Sequence, residues 1–445
     1  MRLVSQLAGG LLLAGGVSYL GFGVDRSQAY PLIVAFTTAF AGYLLLLRSG
    51  SRLSTLIGLG LLLRLALVFA FPRLSDDVYR FIWDGQLIVG GHHPFAQLPA
   101  YYLVAEHTVA GLTPELFALL NSPDYHTIYP PVAQVVFAVA AWVSPGSWYG
   151  AAVVMKLLLL LCELGTLGLL WRLLDRFSLP RARLLLYWLN PLIIVEIVGN
   201  LHFEGAMICF LLASLYLLTK SYYGGAAGAM ALSVASKLLP LMLLPFLLRR
   251  LWRGQLWRYA AVFGGVSLLL FLPLFVGSGF LSGFGSSLDL YFRKFEFNAS
   301  LYYLLRAYGY YELGWNQIAR FGPLLAKVAA AALLLYAYLD RRSDWRSLPV
   351  VWFWAFIVYL LCATTVHPWY LGVPIVLSCF THWRFVLLWS FLITFTYASY
   401  STIPYQENLW LVAGEYLLAL LFFLYELRYG SPRMRACGPT PSRKR

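Results

Sequence analysis

Apolar runs near residues 3 to 23, 29 to 47 and 53 to 71 follow one another with only short interruptions. Each approaches the ~20 residues that a helix needs to cross a bilayer. In lipid every backbone N–H and C=O must find a partner within the chain, so consecutive runs of this kind restrict the fold to packed membrane helices. Further candidates lie near 149 to 171, 183 to 199, 205 to 219, 224 to 236, 238 to 248, 257 to 276, 318 to 339, 347 to 364, 369 to 382, 384 to 401 and 408 to 427. The expectation is an all-α, polytopic membrane protein of about 14 transmembrane helices. Composition agrees: 60% of the 445 residues are hydrophobic and 12% charged, with a mean hydropathy of +0.72. A large soluble domain is excluded.

The net charge of +14 does not point to nucleic acid, because Lys and Arg fall in short clusters between the apolar runs. Arg48/Arg52, Arg172/Arg176/Arg181/Arg183, Arg249/Arg250/Arg253/Arg258, Arg341/Arg342/Arg346 and the tail ending PSRKR share one side if both termini are cytoplasmic. This choice makes 1–428 one membrane domain, 73–148 its first large extracytoplasmic loop and 429–445 a basic cytoplasmic tail. It sends six of the seven histidines outward and leaves His382 inside. It also makes the short run PPVAQVVFAVAAWV, 130 to 143, a juxtamembrane or partly inserted helix on the outer side. The first run is read as a retained helix, since no convincing cleavage site follows it. Five cysteines without a CxxC pair suggest neither a disulfide framework nor a zinc site.

The polar residues on the outer side carry the chemistry. RLSDDVYRFIWDG, 73 to 85, directly follows the third run, and helical spacing of Val78, Phe81, Ile82 and Gly85 predicts an amphipathic surface helix over 76 to 90, capped by Ser75. Asp76 and Asp77 then sit in its first turn, where free N–H groups and the helix dipole favour ionised carboxylate. They are candidate bases, Asp76 ahead of Asp77; alternatively they only cap the helix. Arg80 and Asp84 are spaced to pair. Glu196 and Asn200 stand four apart near the outer end of a span, and His202 and Glu204 follow. A His and Glu two apart suit a metal, but without a third ligand nearby they read as substrate hydrogen-bonding groups. Lys237, between two short apolar runs, suits a lipid-borne phosphate, its competing role being simple snorkelling. Arg293 and Lys294 bring further charge among aromatics. Tyr129, before Pro130-Pro131, and His367, before Pro368, fall at the outer ends of helices.

Taken together, SDDVYRFIWDG, HTIYPPVAQ, LNPLIIVEIVGNLHFEGAM, SKLLPLMLLP, FNASLYYLLR and VHPWYL resemble the polyprenol-phosphate-mannose-dependent mannosyltransferases of the GT-C class, nearest the bacterial alpha-1,6-mannosyltransferase branch. The resemblance runs from about residue 53 to about 372. It implies a GT-C-type helical bundle, an acidic motif in the first large outer loop, a sugar donor on a lipid monophosphate, and an acceptor attacked on the extracytoplasmic face. Here the acidic loop follows the third span, as in the bacterial branch with extra N-terminal helices, and LHFEG replaces the Asn-Asp versions of that position.

On this reading Asp76 or Asp77 deprotonates an acceptor hydroxyl that attacks the anomeric carbon with inversion. Lys237 and Arg293, with His367 and Tyr370, hold the donor phosphate. Arg80, Tyr129, Asn200, His202, Glu204 and Asn298 face the sugars. No cofactor or metal is expected, because fixed cations can stabilise a monophosphate leaving group. The partners are the lipid bilayer, the polyprenyl-phosphate sugar and a glycan or glycolipid acceptor, in a bacterial inner membrane. The competing function is a lipid or sugar-lipid transporter, favoured by Glu163, Glu196 and Glu415 inside apolar runs.

Overall fold

The computed structural model describes residues 2–276, 279–402 and 405–430. The basic tail of 429–445 lies almost wholly outside them, as does Cys437. The described chain is helical throughout; its one β-type contact is a parallel bridge between Phe297 and Thr365.

Among the described residues six helices are long and apolar enough to cross a membrane: α1 (Leu3–Gly23), α2 (Ala29–Arg48), then α6 (Trp148–Arg176), α11 (Arg253–Phe275), α14 (Ile318–Leu339) and α18 (Leu409–Tyr429). A seventh span is counted if α7 (Arg181–Trp188) and α8 (Pro191–Gly199) are joined across their 55° bend. The bend has a local cause. Asn190 caps α8 through a 3.0 Å bond from the Leu192 N–H, and Pro191 occupies the first helical position, where its missing N–H costs nothing. Shorter apolar helices are α3 (Leu53–Val68), α5 (Pro131–Val143), α9 (Glu204–Thr219), α15 (Leu348–Cys362), α16 (Pro368–Ser378) and α17 (Phe385–Ser401). Four further helices complete the frame: α4 (Asp77–Val89), α10 (Tyr223–Ser236), α12 (Phe280–Arg293) and α13 (Leu301–Leu313). The stretch 238 to 248, expected as a span, is a 3-10 helix, Leu239–Leu247, with Pro245 inside it.

The helices run between two faces of contrasting chemistry. The last turn of α3 meets the start of α6, where the Tyr149 hydroxyl donates to the Phe69 carbonyl at 3.0 Å. From there α6 spans 29 residues, about 43 Å of rise, and ends at Arg176. The α9 helix starts at Glu204 beside the aspartate loop and ends at Thr219, whose carbonyl accepts from Arg176. The first face therefore gathers the aspartate loop and the starts of α6 and α9. The second holds Arg172, Arg176 and Lys220 at the ends of α6 and α9.

The surface helix expected over 76 to 90 is instead buried. Arg80 through Leu87 are all covered, and Ser75 is not the cap; Asp76 holds that position while the Ser75 hydroxyl accepts from the Asp77 N–H. The α5 helix packs directly on α4, with Phe81 and Phe137 stacked at 4.5 Å. A Cβ at Gly85 would stand 2.3 Å from the Phe137 carbonyl oxygen, so the absence of a side chain lets the two backbones approach.

Candidate active site

The aspartate loop is stapled in place before it reaches the carboxylates. Asn200 Oδ1 accepts from the Arg73 N–H at 3.2 Å and the Leu74 N–H at 3.1 Å. Its amide donates to the Val195 carbonyl at 3.2 Å and Glu196 at 3.4 Å. Lys156, buried on α6, donates to the Leu67 and Ala70 carbonyls at the end of α3, which supplies carbonyls there with a donor from another span. Asn200 is thus a support of the loop, its polar atoms occupied by protein.

The two aspartates then part. Asp76 forms an ion pair with Arg26 from the connection between α1 and α2, and the Arg26 guanidinium lies 5.0 Å from the Tyr400 ring. Asp77 has a separate partner: its Oδ1 accepts from the Asn121 amide at 2.7 Å. The charge of Asp77 acts on Tyr129, His202 and Tyr400, which identifies what surrounds it. Tyr129 packs edge-on to Phe81 at 4.8 Å. Burial pushes its phenol well above the usual value, and the neighbouring Asp77, Asp84 and Glu204 charges push it the same way.

His202 links the aspartate to the cation. It sits in the turn between α8 and α9 and stacks on Trp369 at 3.6 Å. Burial takes it down to about 4, against the pull of Glu204 and Asp77 and with the push of Lys237. The ring is neutral at ordinary pH. Its Nε2 lies 3.1 Å from Glu196 Oε2 but without hydrogen-bond geometry, so the neutral ring makes a contact there and not a salt bridge. Lys237, extended just past α10, pairs with the buried Glu204 and places its ammonium 4.5 Å from the Tyr370 ring centre.

His367 closes the wall, stacked on Trp369 at 4.4 Å and tilted against Phe297 at 4.6 Å. Burial first, then the Lys237 charge, lowers it to about 3. Its Nδ1 is buried without a hydrogen-bond partner. Phe297 reaches this wall because its N–H donates to the Thr364 carbonyl at 3.0 Å and its carbonyl accepts from Val366 at 2.8 Å. Asp77, Tyr129, His202, Glu204, Lys237, His367, Trp369 and Tyr370 therefore form one neighbourhood, linked by contact or by charge.

Four expected residues have other roles. Arg80 is spent on Asp84 at 3.0 Å and on the Ser122 and Tyr125 carbonyls. Asn200 holds the loop. Asn298, fully buried at φ +46°, donates from its N–H to Glu407 and from its amide to Glu415. Arg293 pairs with Asp289 on an exposed face of α12 at 2.6 Å. Sequence reading overlooked Arg26, Tyr400 and Trp369; only tertiary contact marks the first two, whereas Trp369 stood within the HPWY segment. Among the described residues no three His, Cys, Asp or Glu side chains converge as metal ligands.

Comparison with known proteins fits this arrangement. A profile described as "Alpha-(1->6)-mannopyranosyltransferase, N-terminal domain" matches residues 22–253, more than half of the chain. The chain belongs to this mannopyranosyltransferase family. The matched stretch includes both aspartates, Tyr129, His202, Glu204 and Lys237, while the His367–Tyr370 wall lies beyond it. Alpha-(1->6)-mannopyranosyltransferase A of Corynebacterium glutamicum is 24% identical over 272 residues, which are 56% of this chain and 51% of that protein. Its Mycobacterium tuberculosis counterpart is 24% identical over 335 residues, 70% of this chain and 62% of its own. Alpha-(1->6)-mannopyranosyltransferase B of C. glutamicum is 26% identical over 177 residues, 38% and 28% of the two chains. The chain thus spans between about a quarter and two thirds of these relatives' lengths.

Proposed function

We propose that the protein is an integral-membrane mannosyltransferase that moves mannose from a polyprenyl-monophosphate donor to a glycan or glycolipid acceptor on the extracytoplasmic side, with inversion. The observation that carries this reading is that the charges of Asp77, Glu204 and Lys237 all act on one buried ring, His202. A carboxylate and a cation separated by a neutral aromatic wall suit a displacement in which a proton leaves at one end and a phosphate at the other.

In the proposed reaction the lipid phosphate binds at Lys237, whose ammonium has N–H groups beyond the one Glu204 uses. Asp77 accepts the acceptor's hydroxyl proton as oxygen attacks the anomeric carbon. The glycosidic oxygen–carbon bond forms while the bond from carbon to phosphate oxygen breaks, and the phosphate departs beside Lys237. Asp77 is preferred over Asp76 because Asp76 must release Arg26 before it can receive a proton. Fixed protein cations suffice for this leaving group, so no metal is included in the scheme. The transporter reading loses its main support: Glu163, Glu196 and Glu415 are held by Arg64 and Tyr187, by Tyr397 and Asn200, and by Trp389 and Asn298.

The test is turnover in proteoliposomes with polyprenyl-phosphate-mannose and a mannoside acceptor. Asp77→Asn keeps shape and removes basicity, and turnover should fall ~10² to 10⁴-fold. Near-wild-type turnover in both Asp77→Asn and Asp76→Asn sinks the base assignment; equal rates with other hexosyl donors sink the assignment of mannose.

A further inference from the structure

At the second face, far from the aspartates, the ends of α6 and α9 border a shallow pocket, wide open to the outside and of about 400 Å³, lined by Arg172, Asp175, Arg176, Tyr216 and Lys220. Arg172 and Lys220 approach one ring, Tyr216, with their charges 5.9 and 5.7 Å from its centre. Arg176 donates to the Thr219 carbonyl, the usual service of a cation to a helix C-terminus. The one acid in the lining does not neutralise the others: both Asp175 oxygens accept from Arg181, at 2.6 and 2.8 Å. Among the described residues, no carboxylate lies within ion-pair distance of Arg172, Arg176 or Lys220. Three cations therefore share one open surface pocket without a counter-charge from the protein.

The helix surface leading to the cavity identifies the kind of anion. On α6, Leu157, Leu161, Leu164, Gly168 and Arg172 are all exposed and recur at intervals of three or four residues. They form one stripe along the outside of the bundle. The stripe is apolar over its length and basic where it meets the cavity, which matches an acyl chain joined to an anionic head.

We propose that this cavity binds the phosphate headgroup of an anionic membrane lipid, with Arg172 and Lys220 contacting the phosphate and the acyl chain lying along Leu164, Leu161 and Leu157. The site is separate from the donor site, being at the opposite end of α6 and α9. Full-length protein in neutral detergent is titrated with phosphatidylglycerol, phosphatidylcholine or soluble glycerol phosphate, with bound lipid counted by native mass spectrometry and stability followed by melting temperature. Phosphatidylglycerol should bind and raise the melting temperature, and the other two should not. Arg172→Gln with Lys220→Gln should weaken phosphatidylglycerol binding about 25-fold, roughly fivefold for each charge removed. A control pair on the same face, Arg48→Gln with Arg52→Gln, should bind as the wild type does. Unchanged binding in the cavity variant, or an equal loss in the control, overturns the site. An equal response to glycerol phosphate overturns the lipid assignment, since it makes the ligand a free phosphate. If the cavity variant does not fold, phosphatidylglycerol binding to the single variants Arg172→Lys and Lys220→Arg, which keep the charge, should remain near wild type; loss in both overturns the proposal.

Discussion

The middle of the bundle and the candidate active site each hold a cation against a buried glutamate, and the two pairs differ in what is left over. Between α3 and α6, Arg64 donates twice to Glu163, at 2.8 and 3.0 Å, and to the Trp188 and Gly60 carbonyls at 2.7 and 3.2 Å. Its guanidinium lies 3.9 Å from the Trp188 ring, and the second Glu163 oxygen accepts from Tyr187 at 2.5 Å. Neither side chain reaches solvent. At the site, Lys237 pairs with Glu204 and faces Tyr370, yet its side chain keeps 27% of its exposure. A closed pair can only hold helices together. The open pair keeps a cation oriented while leaving N–H groups for a ligand, so the same charge chemistry becomes structural or functional according to how many of its bonds the protein consumes.

The largest effect expected from breaking this comparison is at the closed pair. Arg64→Met leaves Glu163 buried without its counter-charge and should destabilise the protein by about 3–5 kcal/mol, read as lost melting temperature and monodisperse yield in detergent. Adding Glu163→Leu should return a large part of it. If Arg64→Met melts like the wild type, the pair does not hold α3 to α6.

The open pair should show the reverse pattern, with activity lost and the fold kept. Lys237→Gln preserves a donor for Glu204 but removes the charge, so kcat/KM for the lipid-phosphate donor should drop roughly 10- to 100-fold with little change in melting temperature. Arg293→Gln, whose wild-type side chain is occupied by Asp289 on an exposed surface, should leave donor kinetics alone. Equal sensitivity at the two positions would return Arg293 to the donor site.

A third acid, Glu407, pairs with no cation among the described residues, and the effect there should be smallest. Glu407, outside the spans, accepts from the Asn298 N–H and the Tyr303 hydroxyl. Burial raises its carboxyl from 4.5 to about 7, the Asn298 bond opposing and Glu296 adding to the shift. Its folded-state value exceeds the unfolded one, so its contribution to stability is full below about 4.5 and lost as pH rises through about 7. Melting curves should show Glu407→Gln gaining on the wild type between pH 5 and pH 8. A pH-independent gap would mean that Glu407 does not titrate there.

Much of the frame was legible because lipid imposes one rule on every span. Runs of sufficient length must be helices, and the arginines between them gather on one face; the structure puts Arg176, Arg181 and Arg183 at the far end of α6 from Asp77. The site was legible in part. Asp77, His202, Glu204 and Lys237 are ionisable groups at the ends of apolar segments, and such groups are costly there without a use. Arg80, Asn200 and Asn298 are polar groups in similar sequence positions, yet the structure spends them on Asp84, on the loop backbone, and on Glu407 and Glu415. Neighbours in sequence could not distinguish the two outcomes, because the deciding partner of Asn200 lies 126 residues away and that of Asn298 lies 117 away.

The sequence by itself determined that this chain is a helical membrane bundle, that its charges divide between two faces, and that an aspartate pair opens a helix behind the third apolar run. Those properties follow from hydropathy, charge and helix-end chemistry, all of which act over a few residues. Tertiary structure alone decided that Asp76 turns to Arg26 while Asp77 turns toward His202, and that α4 is buried under α5. It also decided which polar groups remain free for a substrate. These outcomes depend on contacts between distant segments, where a hydrogen bond consumed in packing is no longer available for chemistry.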